Sequence, residues 1–441
     1  MSKTIKKLLL FFGDLFFLHI ALFLTLLIRY QDGRILDEFT YHWPNFSIVF
    51  FIWILIFYIL DLYNLNLKIS DIKFVRSTFN AALISVVLSV VYFYLIVKPA
   101  ITPKTNLVIF SGVFLALFIL WRLFYHSFFI NIIPKINLAI IGNNHKTEEL
   151  LNEISKNPGN PFQLYFVFKD PEHIDNLHEE IHQEKIKAIV ICDDFGDSQR
   201  MESALFSCLP YKIDFYNYPD FYELLSGKIP VEAIGQNWFL ENLKEGQKNY
   251  YNIFKRIFDV VFATIILLIT FSFWILIGLA IVVNSKGPVF FLQKRLGKNG
   301  KIFQIFKFRT MLTSANDGSP TKENDHRITH VGSFLRKARL DEIPQVINIL
   351  SGSMSFIGPR PERPELVAEL EQKIPFYRTR LLVKPGLTGW DQISGNYHSP
   401  SVTDTMEKLQ HDLYYLKHRS LYLDMTIILK TFATVIFHEG R

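Results

Sequence analysis

Four long apolar stretches near the N-terminus decide most of what this chain can fold into. They run approximately from Leu8 to Ile28, Pro44 to Leu60, Phe79 to Val97 and Thr105 to Trp121, and about 20 apolar helical residues are enough to cross a bilayer core of roughly 30 Å. Hydrophobic residues make up 50% of the 441 positions, 42 Phe among them, which is a membrane-protein composition. Asp14 interrupts the first stretch and is expected near one membrane face. No small-residue cleavage site follows, so that stretch reads as a retained anchor. Lys3, Lys6, Lys7, Lys68, Lys73, Arg76, Arg122 and Lys135 flank the stretches on one side, and Arg29, Arg34, Lys98 and Lys104 on the other. The side richer in Lys and Arg is expected in the cytoplasm, and an even number of crossings returns the chain there near residue 131.

Charge divides the remainder. Residues 137–245 carry 9 Lys/Arg against 19 Asp/Glu, whereas residues 285–441 carry 23 against 15. A basic segment beside a membrane faces anionic lipid headgroups or phosphate-bearing ligands, and nucleic acid is not expected as a partner. Cys192 and Cys208 are too few for a disulfide framework and lack a metal-ligand spacing, so both read as reduced and inert, as in a cytoplasmic domain.

In the acidic middle, short apolar strands alternate with polar helical stretches: Asn137 to Gly142, Gln163 to Phe168, Ile186 to Cys192 and Lys212 to Tyr216. Such alternation predicts a small doubly wound, Rossmann-like sheet. Its first turn, Gly142-Asn143-Asn144, lacks the two further glycines that let a backbone approach a pyrophosphate, which favours a structural or regulatory domain over a redox-cofactor site. Val260 to Val283 is a fifth apolar stretch of 24 residues without a charge. It reads either as a span or as a re-entrant hairpin; Lys255, Arg256 and Lys286 at its two ends suit one anionic surface, and Asp259 suits an interfacial position.

The basic third carries the chemistry. Asp341 and Glu342 are adjacent carboxylates shortly before Pro344, a residue tolerated in the first turn of a helix, so the pair is expected at a helix N-terminus, where anions are favoured. From local sequence alone such a pair is more often a cap. Two carboxylates this close repel unless a cation is shared, and magnesium, which takes one or two carboxylates with substrate phosphates and waters, is the natural candidate. Lys307, Arg309, Arg327, Arg336, Arg339, Arg360 and Arg363 could converge on phosphate, and Arg360, held between Pro359 and Pro361, ranks first.

Seven stretches occur in order: Lys255-Arg256-Ile257-Phe258-Asp259; Lys286-Gly287-Pro288-Val289-Phe290-Phe291 with Gln293; Phe306-Lys307-Phe308-Arg309-Thr310-Met311; Arg327-Ile328-Thr329 through Gly332; Leu340-Asp341-Glu342-Ile343-Pro344-Gln345; Gly358-Pro359-Arg360-Pro361-Glu362; and Lys384-Pro385-Gly386-Leu387-Thr388-Gly389-Trp390. Together they resemble the bacterial sugar transferase domain of the monotopic polyprenyl-phosphate phosphoglycosyl transferases. With the N-terminal spans, the chain is similar to the long, undecaprenyl-phosphate hexose-phosphate type. The resemblance implies double displacement, with Asp341 attacking the sugar-bearing phosphorus, Glu342 helping to bind Mg2+, a UDP-hexose as donor and undecaprenyl phosphate as acceptor. It implies the first membrane step of an exopolysaccharide or O-antigen-type glycan, at the cytoplasmic face of a bacterial inner membrane, and is compatible with a homodimer. Asp412 and Asp424 recur near the C-terminal end of the family pattern and read equally as structural or as metal ligands. One departure stands out: where related domains break the membrane helix with Ser-Pro, this chain has Ser272-Phe273, which leaves Thr270, Ser272 or Gly278 to bend it.

The expected architecture is therefore a multi-domain membrane protein: a four-helix transmembrane module (1–130), a Rossmann-like α/β domain (131–245), a linker and re-entrant membrane helix (246–285) and a mixed α/β catalytic domain (286–441). Leu421 to Phe437 reads as a core or interfacial helix because Asp424 and Lys430 interrupt it. Two other readings stay open: a membrane-anchored nucleotide-sugar dehydratase or epimerase, and an inactive scaffold of a polysaccharide assembly complex.

Overall fold

The computed structural model describes residues 3–30, 35–65, 71–95, 103–130, 135–156, 160–168, 181, 183–192, 199–312, 325–394 and 401–437. Among the flanking charges, Arg34, Lys68 and Lys98 lie outside the described residues, as does the end of the third apolar stretch. Two compact units divide the chain, Met1–Phe221 and Tyr222–Arg441.

In the first unit the apolar stretches form helices α1 (Lys3–Arg29), α2 (Ile35–Ile59), α3 (Ile72–Leu95) and α4 (Pro103–Tyr125), all long and apolar enough to cross a membrane. Helix α2 begins nine residues before Pro44, so the proline is interior and does not mark the start of the span. The abundance of Phe now has a reason. Phe46, Phe50, Trp53 and Phe57 recur every three or four residues on one face of α2 and meet Phe110, Phe114 and Phe118 of α4, with Phe50 stacked on Phe110 at 5.8 Å and Phe57 on Phe114 at 5.9 Å. Between helices in lipid, packing of this kind replaces the hydrophobic driving force. Asp14, expected near one membrane face, has a partner within the helix bundle. It is fully buried and accepts a hydrogen bond from Arg122 Nη2 of α4 at 2.7 Å, with the guanidinium 4.6 Å over the Phe118 ring. A charge among apolar helices persists here because a partner from another helix neutralises it.

A four-stranded parallel sheet follows in the same unit. Strands β1 (Ile136–Ile141), β2 (Phe162–Phe168), β3 (Ala188–Ile191) and β4 (Asp214–Asn217) pair in parallel in the order β2-β1-β3-β4, with α5 (His145–Lys156) and α6 (Gln199–Ser207) among the connecting elements. Cys192 and Cys208 are buried thiols. At the turn after β1, Asn144 Oδ1 accepts from the Thr147 amide at 3.2 Å while its Nδ2 donates to the Cys192 carbonyl at 3.2 Å. A side chain thus caps the helix where glycines would otherwise admit a phosphate.

The second unit is built along α7 (Asn249–Asn284), one uninterrupted helix of 36 residues, about 54 Å long. The turn required by a hairpin at Ser272-Phe273 does not form. Without proline no backbone hydrogen bond is lost, and Thr270 Oγ1 bonds back to the Ile266 carbonyl (2.7 Å) while accepting from Trp274 Nε1 (3.1 Å). Asp259, Ala263, Trp274, Gly278 and Ile281 form a buried stripe at helical spacing, and Phe262, Ile265, Leu268, Phe273 and Leu276 are exposed on the rest of the helix. Asp259, expected at an interfacial position, is 2% exposed and accepts from Ser355 Oγ (3.1 Å) and the Phe356 amide (3.2 Å).

Against that stripe packs a mixed α/β body. An antiparallel hairpin, β5 (Phe290–Leu296) and β6 (Ile302–Phe308), is followed by α8 (His330–Lys337), a 3-10 turn (Leu340–Gln345), α9 (Val346–Ser351), β7 (Ser355–Ile357), α10 (Pro364–Lys373), a 3-10 turn (Tyr377–Leu382), β8 (Gly386–Thr388) parallel to β7, α11 (Val402–His418) and α12 (Leu421–Phe437). Trp274, Ile305, Phe308, Ile349, Tyr415 and Ile427 share its core. Asn348 ties α9 to β6, donating to the Gln304 carbonyl (2.7 Å) and accepting from the Phe306 amide (3.0 Å). Thr329 caps α8 by accepting from the Gly332 amide at 2.9 Å, and a Cβ on Gly332 would lie 2.1 Å from the Thr310 carbonyl oxygen, so only glycine lets α8 approach the segment after β6 this closely.

Candidate active site

The carboxylate pair lies in the first turn of a helix, as expected, but that helix is the 3-10 turn Leu340–Gln345. Pro344 is inside it, and α9 begins only at Val346. Arg339 at its start takes a left-handed conformation, φ 56°. The tight turn sends the two side chains into different surroundings.

Glu342 Oε1 accepts from Lys307 Nζ of β6 at 2.7 Å and from Arg360 Nη2 at 2.9 Å. Burial alone would raise its pKa, but the charges of Arg360 and Lys307, the Lys307 hydrogen bond and the Arg339 charge outweigh it and hold the carboxyl well below the usual range. Glu342 is therefore a fixed anion. Asp341, 9% exposed, accepts no hydrogen bond among the described residues. Burial first, and then the Glu342 charge beside it, push its pKa up, against the pull of Lys307, Arg336 and Arg339. Two neighbouring acids thus carry different burdens, one neutralising cations and the other left available.

The remaining candidates separate. Arg336 donates to Thr310 Oγ1 (2.8 Å), and its charge, like that of Arg339, acts on Asp341. Arg363 occupies the N-cap position of α10. Arg309 is held by backbone: its guanidinium donates to the carbonyls of Ser285 (2.6 Å) and Lys286 (2.9 Å) and to Ser285 Oγ (3.0 Å), closing the C-terminal end of α7. Arg327 is held on Asp325, with Nε 2.8 Å from Oδ1 and Nη2 2.6 Å from Oδ2. Asp412 and Asp424, weighed as metal ligands, have cations as partners. Asp412 pairs with Arg380 at 2.8 Å, and Asp424 accepts from Lys255 (2.7 Å), Tyr251 (2.8 Å) and Tyr415 (2.9 Å). Among the described residues no three His, Cys, Asp or Glu side chains are grouped to hold a metal. The pair itself fits magnesium better, because Asp341 and Glu342 Oε2 are carboxylate oxygens without a protein partner among those residues, and this ion completes its shell with phosphate and water. Sequence reading missed Arg295, Arg380 and Lys408, whose carboxylate partners Glu362 and Asp412 are distant in the chain and leave no local pattern.

Residues 250–438 match the profile of a family described as bacterial sugar transferase. The chain is similar to the UDP-N-acetylgalactosamine-undecaprenyl-phosphate N-acetylgalactosaminephosphotransferase of Aeromonas hydrophila, 36% identical over 241 residues that make up 54% of this chain and 56% of the relative. It is similar also to the UDP-glucose:undecaprenyl-phosphate glucose-1-phosphate transferase of Xanthomonas campestris pv. campestris, at 31% over 68% of this chain and 66% of that one. The matches thus span between 56% and 66% of the length of these relatives. The exopolysaccharide production protein PSS of Rhizobium leguminosarum bv. phaseoli is 38% identical over 197 residues, 43% of this chain and 96% of the relative. Since nearly all of that relative is matched and the family profile takes in the helix, the carboxylate turn and the loop of Arg360, the chain belongs to the bacterial sugar transferase family.

Proposed function

We propose that this protein transfers a hexose 1-phosphate from a UDP-sugar to undecaprenyl phosphate and releases UMP. The observation that carries this is the division of labour between two adjacent acids: Glu342 is held by Lys307 and Arg360, while Asp341 beside it has no hydrogen-bond donor among the described residues. An Asp341 oxygen forms a bond to the sugar-bearing phosphorus as the bond from that phosphorus to the UMP oxygen breaks, and UMP leaves with the electron pair. A phosphate oxygen of the lipid then attacks the same phosphorus, the aspartyl oxygen leaves, and the carboxylate is restored. Lys307, Arg336, Arg339 and Arg360 lie where negative charge builds up, and such placement supplies much of phosphoryl-transfer catalysis. Magnesium held by Glu342 Oε2 and Asp341 would neutralise phosphate charge.

The names of the relatives support a UDP-activated hexose or N-acetylhexosamine and an undecaprenyl acceptor. Membranes carrying the protein, given labelled UDP-glucose, UDP-galactose or UDP-N-acetylgalactosamine with magnesium and undecaprenyl phosphate, are expected to release UMP and form a lipid-linked sugar phosphate. Absence of both products with every donor overturns the proposal.

The shape of α7 supports a location at one face of a bacterial inner membrane, on the cytoplasmic side where nucleotide sugars are made. An upright span would carry the body packed along its buried stripe, with Asp259 and the Lys255–Asp424 pair, into hydrocarbon. A helix resting in one leaflet keeps that body in water and its exposed apolar side in lipid. Cysteines placed at Ile253 and Val283, exposed near the two ends, are expected to react with an impermeant maleimide from the same side of oriented vesicles. Reaction from opposite sides would establish a crossing.

A further inference from the structure

Arg360 sits on a loop whose backbone is tied at every carbonyl. The Gly386 amide donates to Pro359 O (3.0 Å), Arg380 Nη2 to Arg360 O (3.0 Å), Arg295 Nη1 to Pro361 O (3.0 Å) and the Leu296 amide to Glu362 O (3.0 Å). Pro359 and Pro361 fix the backbone on both sides of Arg360 and bring no N–H of their own. Beneath the loop, Arg380, 3% exposed, pairs with Asp412 and donates to the Tyr377 hydroxyl at 2.7 Å. Glu362 accepts from Lys408 and lies 3.5 Å from Arg295 and 4.0 Å from Arg380.

A buried network of this size is not explained by stability, because apolar packing of equal volume is often as stable as buried ion pairs. What apolar packing does not provide is a donor aimed at one carbonyl oxygen. We propose that Arg380, oriented by Asp412 and Tyr377, is a positioning residue that sets the backbone of Arg360 so that its guanidinium meets Glu342. Arg295 makes the matching bond one residue further on. The inference rests on reading Asp341, Glu342 and Arg360 as the reacting site.

The test is a double-mutant cycle in membranes, with UMP release measured using the UDP-sugar that the unmodified protein turns over fastest. Arg360→Lys is expected to lower kcat about a hundredfold, the usual order for one electrostatic group. Arg380→Lys, which keeps the buried charge and loses the fork, is expected to lower kcat about tenfold with KM for the donor within about threefold. If Arg380 acts through Arg360, the double variant is no slower than Arg360→Lys alone, within about threefold. Multiplying effects, or an Arg380→Lys protein with unchanged kcat, would overturn the positioning role while leaving the site reading intact. Full activity in Arg360→Lys would overturn the site reading itself. Should Arg380→Lys lose its thermal transition, Arg295→Gln, with a side chain partly open to solvent, decides by the same cycle.

Discussion

Asp341→Asn is expected to abolish sugar-phosphate transfer, by about 10⁴-fold or more, because an amide does not form the acyl phosphate. UMP release should vanish with it, including the first turnover seen before the lipid acceptor is added. The same variant should fold at least as well as the parent. Burial and the Glu342 charge hold the Asp341 pKa above its unfolded value. A carboxyl raised in this way costs stability above its folded pKa and ceases to do so as pH falls below its unfolded pKa. Near neutral pH an uncharged asparagine should therefore leave the thermal midpoint unchanged or higher. For activity the sign is simple: protonated Asp341 is no nucleophile, so turnover falls as pH drops and the carboxyl takes up its proton. Retained turnover in the variant would remove Asp341 from the reaction.

Glu342→Gln, one residue away, should do the opposite to stability. Its carboxylate is the shared partner of Lys307 and Arg360, and removing it from this partly buried cluster is expected to cost about 1–3 kcal/mol. Turnover should fall about 10²–10³-fold, since the two cations lose their fixed positions. Here the folded pKa is depressed, so the stabilisation is present above the unfolded carboxylate value and lost as pH falls through the lower folded one. Within the range where activity is measured, Glu342 does not titrate. Thermal melts of the two variants side by side, with UMP release, check both expectations: one protein inactive and stable, the other impaired and weakened. Equal destabilisation of the two would contradict the roles assigned to them.

Helices α1 to α4 were legible from the length of their apolar runs, and the parallel sheet from its alternation with polar helices. Pro344 placed the acidic pair in a first turn. What eluded the sequence was which partner each charge would find. Asp14 meets Arg122 from another span, Asp424 meets Lys255 from α7, and Asp412 meets Arg380 beneath the loop. Each pairing joins residues separated by dozens of positions, so no local pattern distinguishes a structural carboxylate from a metal-binding one. Arg309 shows the same limit, lying in a matching motif yet serving as the end-stop of α7. The unbroken course of α7 was foreshadowed by the missing proline.

The two-sidedness of α7 has a bearing on what happens to the product. If its oily flank is immersed in only one half of the bilayer while the opposite flank supports the reacting body, the new glycolipid is born with its sugar on the side where the nucleotide was consumed. Nothing in such an arrangement offers that head group a passage through the hydrocarbon. Delivery to the far surface would fall to separate machinery, and sugars could be added to the first one before that journey begins.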